Sequence, residues 1–234
     1  MSIYLAEFIG TMLLVLLGDG VVANVVLKDT KGSNSGWIVI SIGWAVAVFV
    51  AVFCVAKVSA HINPAVTLGM VLVGKLEPYQ APGYIAAQVA GAALGAFLVW
   101  LQYRDHFAVT DDADTELAVF CTAPAIRKLG SNLISEIIGT FVLVFAVLNI
   151  ATPEGAFVSM NAVPVALVVL GIGLSLGGTT GYAINPARDL GPRIIHFLLP
   201  LPGKRDSDWG YSWVPILGPL IGASLAAALF HWVN

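Results

Sequence analysis

The sequence predicts an all-α membrane protein: six transmembrane helices plus two re-entrant half-helices, built as two inverted repeats. Three observations predict it. Hydrophobic residues make up 58% of the chain and charged residues only 11%, with a mean hydropathy of +0.89. A soluble domain carries about a quarter charged residues, so too little polar surface exists here to coat 234 residues in water. The tripeptide Asn-Pro-Ala occurs twice, at Asn63-Pro64-Ala65 and Asn185-Pro186-Ala187, each time inside a hydrophobic stretch. The neighbourhoods repeat in the same order. Glu7 through Thr11 is echoed by Glu136 through Thr140, and the small-residue ladder Gly91, Gly95, Ala96 by Gly218, Gly222, Ala223. Ordered self-similarity marks an internal duplication. The halves are residues 1–104 and 131–234, joined by a connecting loop at 105–130.

Residues 3–27 form the first span, apolar except for Glu7 and Asp19. About 20 residues cross a bilayer, and the absence of a basic leader argues for a retained helix rather than a cleaved signal. Residues 37–56 make a second span, closed by Lys57, and 82–103 a third. In the second half, residues 131–150 form a span carrying Glu136. Residues 155–187 run for 33 positions without Asp, Glu, Lys or Arg, too long for one perpendicular helix, and 209–234 hold the last span. What remains is an apolar segment after each Asn-Pro-Ala, 63–73 and 185–198. At about 1.5 Å per residue each reaches roughly halfway through a hydrocarbon core of ~30 Å.

Three spans per half is an odd number, so the second half enters from the opposite face and the half-helices meet near the midplane. Irregular backbone survives at that depth only when buried in protein or lining a water-filled path. The glycines before the second motif, Gly177, Gly178 and Gly181, suit an extended strand that turns its carbonyls to such a path. Within the motif, proline fits the first helical turn because its missing N–H would be orphaned there anyway. Asparagine is a favoured cap, and its amide is expected to donate into the lumen. Two helix N-termini meeting head to head place two partial positive charges at the centre, a barrier to cations. Water passing between the asparagines would break the hydrogen-bonded wire that a proton needs. The pattern describes a pore.

At these residues the chain resembles the aquaporin family, and within it the bacterial glycerol facilitators, or aquaglyceroporins. The likeness covers essentially the whole length and is most specific from Gly181 to Arg193. Like the glycerol-conducting branch, the chain has Asp189 after Arg188, the basic Arg193 four positions later, and the pair Pro215-Ile216. Strict water channels have small residues at the first two places and bulky aromatics at the last pair. The resemblance implies an aquaporin-like fold and a passive channel, not an enzyme, for glycerol, similar small neutral solutes and water, excluding protons and ions. It implies a constriction formed by Trp44, Gly173, Tyr182 and Arg188, with Tyr182 in place of the branch's usual phenylalanine. It also implies a homotetramer with one pore per subunit, in a bacterial cell membrane, both termini cytoplasmic.

Other readings were weighed on the residues themselves. Glu7 and Glu136 are intramembrane acids and hence candidates for ion coupling; their symmetry favours the family role, buried acceptors bracing the loops before each motif. His61 is expected to pack in the re-entrant loop rather than gate, and Asp189 to orient Arg188 and its loop rather than touch solute. Asp19 has no counterpart in the second half and receives no role. The cluster Asp111, Asp112, Asp114 and Glu116 reads as a solvated loop face. A mainly water-conducting channel is the nearest alternative, and a gradient-coupled secondary transporter a more distant one. Four scattered histidines show no metal-ligand spacing, no cofactor is implied, and a net charge of −3 gives no reason to invoke nucleic acid. Charge counting points the other way on orientation. Only Lys57 and Lys75 fall on the side expected to be cytoplasmic, against Lys28, Lys31, Arg104, Arg127, Lys128, Lys204 and Arg205 opposite. The motif order is followed.

Overall fold

The computed structural model describes residues 1–150 and 158–234. Its helices in chain order are α1 (Ile3–Val26), α2 (Trp37–Val55), α3 (Pro64–Leu72), α4 (Ala81–Phe107), α5 (Ala113–Phe120), α6 (Leu129–Asn149), α7 (Ala162–Ser175), α8 (Pro186–Leu198) and α9 (Val214–Val233). No strand occurs among the described residues. Five of them, α1, α2, α4, α6 and α9, are long and apolar enough to cross a membrane. The sixth span is α7, shorter at 14 residues and preceded by a 3₁₀ turn, Val158–Asn161; the start of the long apolar run, 155–157, lies outside the described residues. The half-helices α3 and α8 have 9 and 13 residues.

The small-residue ladders explain the tightest packing. A Cβ on Gly91 would lie 2.2 Å from the Phe8 carbonyl oxygen, and one on Gly222 would lie 2.5 Å from that of Ile137. Backbone meets backbone at both places, so α4 seats on α1 and α9 on α6 in the same way. The half-helices cross over: α8 packs on α4, and α3 on α9. Each half therefore holds the other's pore element. Outside, Ile38, Ile42, Val46, Ile134, Leu167 and Leu225 are exposed, as suits a surface solvated by lipid.

The connecting segment departs from expectation. Asp111, Asp112 and Asp114 are exposed, as expected of a solvated face, but the cluster opens a helix, α5, and its fourth member is buried. Asp112 caps the helix, accepting from the Asp114 N–H at 3.0 Å, while Glu116 is 1% exposed. Helix α5 packs its Leu117 and Phe120 inward, the Phe120 ring stacking on Phe107 of α4. An amphipathic turn too short for the periodic signal was hidden by its charges.

Candidate functional site

The two asparagines cap their half-helices with their own side chains. Asn63 Oδ1 accepts from the Ala65 N–H at 2.8 Å, and Asn185 Oδ1 from Ala187 at 3.0 Å and Arg188 at 3.3 Å. Each amide then reaches across the midplane. Asn63 Nδ2 donates to the Ile184 carbonyl at 2.8 Å, and Asn185 Nδ2 to the Ile62 carbonyl at 2.9 Å. The sequence led to amides free to donate into the lumen; instead one N–H of each ties the two halves together, leaving the second. The lumen-lining backbone is also not a simple extended strand. Ile62 and Ile184 take φ of 45° and 44°, and Tyr182 takes 38°, a region that β-branched residues rarely enter.

Glu7 and Glu136 hold that strain. Glu7 Oε2 accepts from the Ile62 N–H at 2.6 Å and from Gln88 Nε2 at 2.7 Å, while Oε1 accepts from the His61 N–H at 2.8 Å and from Ser59 Oγ. Glu136 does the same for the other loop, accepting from Ile184 N–H at 2.8 Å, Ala183 N–H at 3.0 Å and Thr180 Oγ1 at 2.7 Å. Each strained isoleucine is gripped on its N–H by a carboxylate and on its carbonyl by an asparagine of the opposite motif. Gly10 and Gly139, three residues after each acid, leave room for the isoleucine side chains: a Cβ there would stand 2.7 Å from Ile62 Cγ2 and 3.0 Å from Ile184 Cγ2. His61 sits in the first loop, its Nδ1 3.2 Å from Thr67 Oγ1 and its ring on Tyr84.

One cavity of about 320 Å³ runs past these groups. Its lining includes Lys75, Asn161 and Met70, the two asparagines Asn63 and Asn185, and Trp44, Tyr182 and Arg188. The Arg188 guanidinium carbon lies 4.2 Å from the Trp44 ring centroid. Gly173 does not border the cavity; a Cβ on it would stand 3.0 Å from the Tyr182 hydroxyl and 3.2 Å from Ser41 Oγ. Its missing side chain makes the seat for the Tyr182 ring, which Trp37 closes edge-on at 5.8 Å while donating its indole N–H to the Gly173 carbonyl. Asp189 is also off the lumen. It accepts from the Thr122 N–H and hydroxyl at 2.9 and 2.8 Å and from Arg193 Nε at 2.9 Å. Arg193 in turn donates to the Ser207, Asp208 and Thr122 carbonyls. The pair pins the connecting loop and the α8–α9 loop onto α8.

Three contributors escaped the sequence. Trp37 read only as the start of a span. Gly18 carries no sequence signal, yet a Cβ there would stand 2.2 Å from the Trp44 ring. Asp19 was noticed and given no role, yet it is fully buried with a carboxylate oxygen 3.8 Å from Arg188 Nη1.

Apolar spans around a polar-centred lumen, with two half-helices capped at its middle, define a multi-pass membrane channel. Comparison with known proteins agrees. The family model described as "Major intrinsic protein" matches residues 1–230. The chain is 60% identical over 234 residues, all of both chains, to a probable glycerol uptake facilitator protein of Thermotoga maritima. It is 55% identical over 225 residues, 96% of each, to a glycerol uptake facilitator protein of Streptococcus pneumoniae. Among solved structures it superposes on the aquaglyceroporin of Plasmodium falciparum with a TM-score of 0.86 at 30% identity, covering 97% of this chain and 93% of that one. The chain belongs to the major intrinsic protein family; it is a channel and not an enzyme.

Proposed function

We propose that this protein conducts glycerol and similar small neutral solutes, with water, passively through the cavity between its two capped half-helices. The observation that carries this reading is the makeup of the cavity wall around Arg188. Trp44 and Tyr182 offer a carbon backbone an apolar corner, and Arg188 donates to its hydroxyls. A desolvated hydroxyl needs a partner and a buried C–H does not, so the split suits a polyol. The names borne by the relatives point to the same solute. Asn63, Pro64, Ala65, Asn185, Pro186 and Ala187 are the central element, and Trp44, Gly173, Tyr182 and Arg188 the selectivity filter, with Glu7, Glu136, His61 and Asp189 as its scaffold. Residues 1–104 and 131–234 are its inverted repeats. The channel is a homotetramer of the bacterial cell membrane with one pore per subunit and both termini cytoplasmic. Stopped-flow light scattering on proteoliposomes tests the function. Under a glycerol gradient the vesicles should shrink and rapidly reswell; under a non-permeant osmolyte they should shrink and stay shrunken. Shrinkage without reswelling in glycerol would reassign the protein as a water channel.

A further inference from the structure

Asp19 stands directly behind the filter. It projects from α1 beside Gly18, whose bare backbone accepts the Trp44 ring, and it is fully buried and absent from the cavity lining. Among the described residues neither of its carboxylate oxygens has a hydrogen-bond partner, and Arg188 Nη1, 3.8 Å away, has none either. The other nearby acid, Asp189, is committed to Thr122 and Arg193. Among the described residues Asp19 is the acid that forms an ion pair with Arg188. Four buried ionisable groups thus gather here, the acids Asp19 and Asp189 and the arginines Arg188 and Arg193.

We propose that Asp19 is a positioning residue of the filter, drawing the Arg188 guanidinium away from the lumen and holding it on the Trp44 face. The inference rests on the filter reading given above. A guanidinium without that counter-charge is retained on its inner side by Trp44 alone, and its remaining donors are best satisfied by leaning into the water of the lumen. The opening then narrows for a polyol more than for water. Asp19→Asn keeps the shape and removes the charge.

The test measures glycerol and water permeability in proteoliposomes for the wild type, Asp19→Asn, Arg188→Val and the double variant. Asp19→Asn should lower the glycerol-to-water permeability ratio roughly five-fold, within the range of coupling between contacting groups. In the Arg188→Val background the same substitution should leave the ratio unchanged. It should also raise thermal stability there, since Arg188→Val alone strands a buried carboxylate. A wild-type ratio in Asp19→Asn overturns the proposal, as does an equal shift with and without Arg188. If Asp19→Asn does not assemble, the double variant decides: recovery of a folded channel supports action through Arg188, and a second failure overturns it. An Arg188→Val channel with the wild-type ratio would instead refute the filter itself.

Discussion

At Gly173 the absent side chain matters through a neighbour rather than through the lumen. A Cβ there would already press on the Tyr182 hydroxyl at 3.0 Å. A histidine ring must claim the space that Tyr182 now fills, driving the tyrosine toward Arg188 and the cavity. Gly173→His should therefore cut glycerol permeability at least about tenfold, an added barrier of roughly 1.4 kcal/mol or more, and retain measurable water flux. Stopped-flow traces on the folded variant check it, and undiminished glycerol flux would remove Gly173 from the filter. The residue scale is also where sequence reasoning ran out. Trp44, Tyr182, Gly173 and Arg188 were placed by likeness to a family, not by their own spacing. Asp19 and Gly18 were not placed at all. α1 is apolar on nearly every side, and such a helix carries no periodic signal for which residue faces which neighbour. That information comes only from the rotation of α1 against α2 and α8.

The elements were legible in proportion to their length and apolarity. Long charge-poor runs predict α1, α2, α4, α6 and α9 to within about five residues, and the Asn-Pro signature predicts the starts of α3 and α8. The short α5 was missed because its first turn is acidic, a feature that stabilises a helix N-terminus but reads as a solvated loop. Glu116 has a consequence of its own. Burial, reinforced by the nearby Asp112 carboxylate, pushes it up to about 7 from an ordinary value near 4.5. Its oxygens have no hydrogen-bond partner among the described residues. An acid whose pKa is raised by folding binds more protons folded than unfolded, so stability falls as pH rises between those two values. The docking of α5 should be tightest at and below about pH 4.5 and loosen progressively up to about pH 7. Hydrogen-exchange protection factors over residues 113–120, which divide out the intrinsic pH dependence of exchange, read this at pH 5 and pH 8. Glu116→Gln should abolish the difference; exchange that is equally pH-dependent in that variant would locate the effect elsewhere.

Across the whole molecule, several of the cations counted on one side meet loop acids or carbonyls. Arg127 pairs with Asp208 and Arg205 with Asp114. Lys204 donates to the His196, Phe197 and Leu199 carbonyls at the end of α8, and Lys28 lies 3.9 Å from Asp111. The two arginine pairs tie the connecting segment to the loop between α8 and α9. The duplication has a deeper consequence at the centre. Cross-bonded asparagines bring the N-termini of α3 and α8 together, so the two helix dipoles oppose each other where solute passes. A cation, or a proton carried by water, meets positive potential there, whereas a neutral polyol does not. Glycerol uptake should accordingly rise linearly with concentration, be indifferent to a protonophore, and leave a pH dye inside the vesicles unchanged under an imposed membrane potential. Asn63→Asp tests the cause. It replaces the donor to the Ile184 carbonyl with an oxygen that repels it and sets an acid at the barrier. The variant should lose glycerol conduction or admit protons or cations under that potential. Unchanged conduction with intact ion exclusion would show that the paired amides are dispensable, and a proton leak in the wild type would show that the opposed helix ends form no barrier.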